Sequence, residues 1–127
     1  MPDHRDRVHE ISNLGLAHIG DAVYELMVRT WLCTQGYSTA KSLHNGAVAF
    51  VSANAQASAA ERVILCLSEE ELAVFKRGRN AHVSSVPQGS TYEQYHAATG
   101  LETLFGYLYL SGMISRLDEL FKQIVGD

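Results

Sequence analysis

The sequence predicts an all-α fold built from about six or seven helices. Apolar residues recur every three or four positions through most of the 127 residues, which is the periodicity of an amphipathic helix. No segment of useful length alternates apolar and polar residues as a half-buried strand does. The two prolines, Pro2 and Pro87, leave the long interval between them without a helix breaker. We expect one domain over residues 1–127, with a flexible N-terminus over residues 1–9.

The first helix is predicted over residues 12–33, and Gln35 and Gly36 end it. Its apolar stripe comprises Leu16, Ile19, Val23, Leu26 and Thr30. Residues 41–67 are rich in alanine with spaced larger apolar residues, which predicts one short helix and one or two longer ones.

Ser68 and Glu71 predict the start of the next helix. They form a capping box, in which each side chain bonds the backbone N–H of the other residue. The helix directs Leu72 and Phe75 inward and ends in a run of basic residues.

The last third of the chain predicts a loop followed by two helices. Residues 80–91 are rich in Ser, Gly and Pro and are typical of a loop. A helix follows over residues 92–111, with Gly112 at the position just beyond its end. The final helix covers residues 114–125, and its apolar face comprises Leu117, Leu120, Phe121 and Ile124.

The charge content indicates which kinds of partner the chain can have. Charged residues make up 19% of the chain, below the roughly 25% typical of soluble domains, which indicates that another subunit covers part of the surface. The net charge of −4 excludes a global basic field for gathering nucleic acid but is compatible with a local basic patch.

The cysteines and the N-terminus predict a cytoplasmic protein. Cys33 and Cys66 lie in apolar patterns outside any Cys-x-x-Cys motif, so we expect reduced thiols in the core. The first ten residues mix acids and bases and contain no apolar signal segment.

Two acidic residues, Asp21 and Glu102, occupy largely apolar faces of predicted helices. Asp21 shares its face with Leu14, Ala17, Val28 and Leu32, and Glu102 shares its face with Ala98, Thr99, Phe105, Gly106 and Tyr109. Burying a carboxylate costs several kcal/mol unless a cation or hydrogen-bond donors compensate it. The two acids could therefore share Mg²⁺, which proteins bind through one or two carboxylates.

A purely structural alternative pairs these two acids with arginines such as Arg29 or Arg116. Arg29 also lies one turn after Glu25, which predicts a solvated ion pair between them. Gly20 and Gly106 lie inside predicted helices, where glycine costs about 1 kcal/mol relative to alanine. Their benefit would be a close approach of the two acid-bearing helices, although packing alone would also explain them.

A cluster that we call the basic corner comprises Lys76, Arg77, Arg79, Asn80 and His82. Cations favour the C-terminal end of a helix, which explains one or two of these residues. The whole set also suits contacts with the phosphates and 2′-hydroxyls of an RNA duplex.

Three stretches, taken in order, resemble the signature motifs of the ribonuclease III catalytic domain. They are LAHIGDAVYELMVRTWL (16–32), FKRGRNAHVSSVP (75–87) and ATGLETLFGYLYLSG (98–112). The resemblance extends over residues 10–125, and the three motifs in this order are specific. More closely, the chain resembles Mini-ribonuclease III, the short bacterial form that lacks a separate double-stranded-RNA-binding domain.

The resemblance implies that Asp21 and Glu102 are the central catalytic and metal-binding residues, with Mg²⁺ as the cofactor and Mn²⁺ as a substitute. Full-length members carry two further acids, at positions occupied here by Ala17 and Thr99. The basic corner is then expected to bind the RNA duplex.

The resemblance also implies an all-helical homodimer that cleaves double-stranded RNA to leave 5′-phosphate and 3′-hydroxyl ends. The expected substrate is the precursor of large-subunit (23S) ribosomal RNA, and a ribosomal protein remains open as an accessory partner. Two alternatives stay open beside it. One is a catalytically silent double-stranded-RNA-binding module of the same fold, suggested by Ala17 and Thr99. The other is an all-α metal-dependent nucleotide hydrolase.

Overall fold

A computed structural model describes residues 4–81 and 91–126. All regular structure in these ranges is helical, with six α-helices and two 3₁₀ turns, which confirms the all-α prediction and the helix number. The α-helices are α1 (Asn13–Thr34), α2 (Ala40–Val51), α3 (Ala53–Val63), α4 (Glu69–Arg79), α5 (Tyr92–Leu110) and α6 (Ile114–Val125). The 3₁₀ turns are Val8–Glu10 and Ile64–Cys66.

Short polar side chains fix where the helices begin. The predicted capping box of α4 is present, since the Glu71 N–H donates to the Ser68 hydroxyl at 3.1 Å and the Ser68 N–H donates to the Glu71 carboxylate at 2.9 Å. Thr91 caps α5 in the same way, with Gln94 as its partner. After α5, Gly112 takes a φ of +74°, which confirms its predicted position beyond the helix end.

Helix α5 is the central element of the fold. It is buried along most of its length, and α1, α3, α4 and α6 all pack against it. Tyr24 of α1 places its ring edge-to-face on Phe105 of α5 and Phe121 of α6, at centroid distances of 5.5 and 6.2 Å. The four residues predicted for the apolar face of α6 are all buried.

The predicted apolar stripe of α1 is partly wrong. Leu26 is 63% exposed, and the buried stripe consists of Leu16, Ala17, Gly20, Tyr24, Val28 and Leu32. The side that faces the core includes small residues, whose apolar signal is weak. The larger apolar residues beside them shifted the predicted buried face to a neighbouring side of the helix.

The two cysteines are also placed differently from the prediction. Cys33 and Cys66 are free and exposed rather than core thiols. Cys33 follows the buried Leu32 and so points to the outer side of α1, while Cys66 ends the Ile64–Cys66 turn. Near the N-terminus, Val8 is buried against Leu16 and Leu110.

Across residues 4–81 and 91–126, no helix has both the length and the apolar character needed to cross a membrane.

Candidate active site

The candidate site lies where α1 crosses α5. A Cβ atom at Gly20 would overlap the backbone carbonyl oxygen of Glu102. One at Gly106 would likewise overlap the carbonyl oxygen of Leu16. Only glycine permits this approach of two backbones, and the approach offsets the poor helix propensity of glycine. The prediction that these glycines bring the two acid-bearing helices together is confirmed.

Asp21 and Glu102, which we call the acid pair, meet beside this crossing. Their carboxyl groups hydrogen-bond to each other, and Glu102 is half-buried. Burial, then the hydrogen bond to Asp21 and the negative charge of Asp21, raise the pKa of Glu102 from 4.5 to about 8. At neutral pH in the absence of a cation, Glu102 is therefore mostly protonated.

Asp21 itself is exposed, although Ala17, Val28 and Leu32, which the sequence places on the same face of α1, are all buried. The neighbours of α1 change along its length. At Gly20 the helix lies against α5, whereas the Leu32 side chain meets Gly46 of α2. Residues on one face of α1 therefore have different surroundings at its two ends. The exposure of Asp21 leaves one carboxylate of the pair accessible to a ligand.

The donor chemistry of the acid pair fits a hard divalent cation. Two oxygen ligands with excess negative charge suit Mg²⁺, which completes its coordination with waters and phosphate oxygens. Zinc would instead need four protein ligands or three with an open position. In the described part of the chain, no group of three or more His, Cys, Asp and Glu side chains is placed to hold a metal ion.

A third polar side chain, which the sequence motifs did not predict, lies at this site. Gln56 of α3 is only 3% exposed, and its Nε2 donates to Glu102 Oε2 at 3.4 Å. A signal for it exists in the sequence. Gln56 occupies the buried stripe of α3, whose other members are Ala59, Ala60 and Val63.

The basic corner lies at the C-terminal end of α4. Lys76, Arg77 and Asn80 are exposed. Arg79 is half-buried, with its guanidinium 5.9 Å from the centre of the Phe75 ring and its Nε donating to Asn80 Oδ1 at 3.4 Å. The remaining member, His82, lies outside the described residues. The structure thus presents two freely projecting cations and one that is held against the core.

Helix α5 anchors the basic corner as well as the acid pair. A Cβ at Gly78 would overlap the Thr103 side chain, so α4 and α5 also cross closely. The Nδ1–H of His96 donates to the Arg79 carbonyl oxygen at 2.8 Å and so satisfies a backbone acceptor at the end of α4. This role of His96 was not predicted, because the sequence around a histidine on a helix does not indicate a distant hydrogen-bond partner.

The structural alternative, in which Arg29 or Arg116 pairs with Asp21 or Glu102, is not supported by the ion pairs of these arginines. Arg29 pairs with Glu25 at 3.3 Å, as predicted. Arg116 pairs with Glu71 at 2.8 Å and with Glu119 at 3.1 Å. These contacts occupy both arginines away from the acid pair.

A family model described as the ribonuclease III domain matches residues 14–113, which include both acids and the close crossing of α1 and α5. The chain belongs to the ribonuclease III family. The predicted activity class is thereby confirmed as an endoribonuclease acting on double-stranded RNA.

Several relatives within the ribonuclease III family are named Mini-ribonuclease 3, as the sequence motifs predicted. The one from Thermoanaerobacter sp. (strain X514) is 42% identical over 118 residues, covering 93% of this chain and 83% of that protein. The one from Brevibacillus brevis is 44% identical over 110 residues, covering 87% and 82%. A crystal structure of a Fusobacterium nucleatum protein has a TM-score of 0.84 and 29% identity, covering 91% of this chain and 94% of that one.

The two positions at which the resemblance implies further acids in full-length members, Ala17 and Thr99, are both buried. Ala17 is 8% exposed, and Thr99 is 5% exposed. The Thr99 hydroxyl donates to the Tyr95 carbonyl oxygen at 2.9 Å, within its own helix. The chain therefore has a packed methyl group at position 17 and a hydrogen-bonded hydroxyl at position 99.

Proposed function

We propose that the chain is a Mg²⁺-dependent endoribonuclease that cleaves double-stranded RNA in the cytoplasm, with precursor 23S ribosomal RNA as its substrate. Mn²⁺ would replace Mg²⁺. The observation that carries this proposal is the acid pair at the crossing of α1 and α5. The close backbone contact brings the two carboxyl groups together, and the raised pKa of Glu102 reflects the cost of ionising both, a cost that a divalent cation would offset.

Asp21 and Glu102 would hold the cation together. When bound, Mg²⁺ offsets negative charge on the scissile phosphate and makes water more acidic. The exposed Asp21 would be accessible to the substrate, and Glu102 would have to lose its proton to act as a ligand. Attack of water on phosphorus breaks the bond to the 3′ oxygen, so the products carry 5′-phosphate and 3′-hydroxyl ends.

The basic corner would bind the duplex without reading its bases. The exposed cations Lys76 and Arg77 suit phosphate oxygens, and Asn80 suits 2′-hydroxyl groups. Arg79 joins them from its position against Phe75. His82 is proposed here on its sequence position alone. Because the net charge of the chain is −4, the affinity for RNA should be modest and sensitive to salt.

We propose that two copies of the chain assemble around one duplex. Several large apolar side chains are exposed, as expected of surfaces that another subunit covers. They are Leu14, Leu26, Tyr37, Val48, Leu65, Tyr92, Met113 and Ile114. Sedimentation at micromolar concentration should give the mass of a dimer, and a monomer would overturn this part of the proposal.

The test is cleavage of an end-labelled precursor ribosomal RNA duplex with Mg²⁺ and with EDTA. Wild type should make discrete Mg²⁺-dependent cuts, and Asp21→Asn and Glu102→Gln should each reduce the rate at least about 100-fold. Asp118→Asn, an exposed aspartate on α6, is the matched control and should cleave normally. Intact RNA in every lane, with all proteins folded, would overturn the proposal.

A second candidate is the catalytically silent RNA-binding module, and the observation in its favour is the loss of two carboxylates at Ala17 and Thr99. It predicts that the duplex is bound equally well by wild type and Asp21→Asn, and that no divalent cation supports cleavage. A gel-shift assay with the same proteins and RNA measures binding. Binding without Mg²⁺-dependent cleavage would favour the second candidate, and cleavage would favour the first.

A further inference from the structure

Gln56 is held by two acceptors in the interior of the protein. Its side chain is 3% exposed, on the face of α3 that packs against α5. Nε2 donates to the Val51 carbonyl oxygen at 3.0 Å and to Glu102 Oε2 at 3.4 Å. The amide therefore links the last residue of α2 to one member of the acid pair.

Packing alone does not explain a glutamine at this position. Its Oε1 atom is buried and has no hydrogen-bond partner among the described residues. Leaving a buried acceptor unpaired costs about 1–3 kcal/mol, a cost that an apolar side chain would not carry. The rest of the buried stripe on α3 is apolar. The glutamine side chain should therefore have a role besides packing that offsets this cost in stability.

The chemistry of an amide suits the task of orienting a carboxyl group. An N–H donor fixes the direction of one carboxyl oxygen, whereas an apolar side chain would leave the group free to rotate. A lysine or arginine at position 56 would also donate, but its charge would neutralise Glu102 and compete with a cation for it. Glutamine can orient Glu102 without adding a positive charge that would compete with a cation.

We propose that Gln56 is a positioning residue for Glu102. The bond to Val51 fixes the amide, and the second N–H holds the Glu102 carboxyl group beside Asp21, so that both acids can bind one cation. This inference rests on the proposed function, because it assumes that the acid pair binds a metal ion. It adds a neutral side chain from α3 to a site otherwise built from α1 and α5.

The main test replaces the amide with an apolar side chain of similar length. In Gln56→Met, Mn²⁺ binding to the protein without RNA should weaken roughly tenfold, a size typical of residues that orient metal ligands. Electron paramagnetic resonance of free Mn²⁺ measures this directly. Gln123→Met, at an exposed position on α6, is the matched control and should bind Mn²⁺ as wild type does.

Cleavage assays provide the second measurement. The Mg²⁺ concentration that gives half-maximal cleavage should rise roughly tenfold in Gln56→Met, while the rate at saturating Mg²⁺ and the KM for the duplex stay within about threefold of wild type. High Mg²⁺ would thus rescue the variant, which it would not do if the amide served only to hold α2 and α3 together.

A structural role for Gln56 predicts a different result. Melting temperatures in EDTA would then fall, while Mn²⁺ affinity and the Mg²⁺ dependence of cleavage stay unchanged, and that combination would overturn the proposal. If Gln56→Met is partly unfolded, Gln56→Asn keeps an amide but is too short to reach Glu102. It should weaken Mn²⁺ binding with a smaller loss of stability, and unchanged binding in a folded Gln56→Asn would equally overturn the proposal.

The two readouts distinguish failure of this inference from failure of the proposed function. A wild type that binds Mn²⁺ but cleaves no RNA would overturn the proposed function, while weaker Mn²⁺ binding in Gln56→Met would still support the role of Gln56. A wild type that neither binds Mn²⁺ nor cleaves would overturn both.

Discussion

The acid pair and the basic corner are both anchored on α5, but they are built in different ways. Asp21 and Glu102 meet because two backbones touch at Gly20 and Gly106, so their geometry is set by the packing of the core. The basic corner also has a close crossing beneath it, at Gly78, but its exposed cations project from a helix end.

The acid pair therefore depends on exact geometry, whereas the basic corner depends on its total positive charge. A carboxyl pair acts on one phosphate and needs fixed geometry, which the close helix crossing provides. Phosphate contacts along a duplex add up through charge and tolerate mobile side chains. Substitutions at the crossing should therefore abolish function in one step, whereas substitutions in the basic corner should weaken it gradually.

The largest effect is expected from Gly20→Ala. The added methyl group would overlap the Glu102 carbonyl oxygen, which is backbone and cannot rotate away. We expect a loss of about 3 kcal/mol or more in the free energy of unfolding, together with loss of cleavage. Urea denaturation followed by circular dichroism measures the stability.

The control for this prediction is Gly46→Ala, also inside a helix. Its new methyl group would meet the side chains of Leu32 and Tyr37 at about 3.0 Å rather than backbone. Side chains can adjust, so we expect a change of about 1 kcal/mol or less. Equal effects of the two substitutions would show that the crossing is not specially tight.

An intermediate effect is expected from Glu102→Gln in protein without metal. Because the folded-state pKa is raised from 4.5 to about 8, the folded form holds the Glu102 proton more tightly than the unfolded form. The resulting stability is fully present below the lower value and is lost as pH rises through the higher one. The glutamine variant should therefore melt a few degrees above wild type at alkaline pH.

Differential scanning calorimetry in EDTA, at mildly acidic and at alkaline pH, measures this difference. Glu61→Gln, at an exposed position on α3, controls for the loss of one surface charge. Melting curves of Glu102→Gln and wild type that shift in parallel with pH would rule out the raised pKa.

Smaller effects are expected in the basic corner. Arg77→Ala should weaken duplex binding by a few fold and reduce the slope of log affinity against log salt by about 1. Lys122→Ala, which removes an exposed cation from α6, should leave both quantities unchanged. Fluorescence anisotropy over a salt series measures them. A salt slope that Arg77→Ala leaves intact would remove Arg77 from the RNA-binding surface.

The sequence predicted most reliably those features whose causes are local. The capping box of Ser68 and Glu71 involves residues three apart, so both partners are visible in one short window. The glycines at positions 20 and 106 are equally visible, because glycine inside a helix needs a packing reason. These local signals were enough to predict where the helices begin and that the two acid-bearing helices approach each other closely.

The missed features depend on distant neighbours. Gln56 reaches Glu102 across 46 residues of sequence, and His96 reaches Arg79 across 17. Helix periodicity correctly placed Asp21 on one face with Ala17, Val28 and Leu32, which are buried, but it did not predict that Asp21 itself is exposed. The sequence of α1 alone does not show that Asp21 is exposed beside the crossing with α5.

The most direct measurement is the pKa of the Glu102 carboxyl group by carbon-13 NMR, with Glu102→Gln identifying its signal. In protein without metal we expect a pKa of about 8, falling when Mg²⁺ is added and also in Asp21→Asn. A value near the ordinary 4.5, unmoved by Mg²⁺ and by Asp21→Asn, would contradict a paired, metal-binding site at the crossing of α1 and α5.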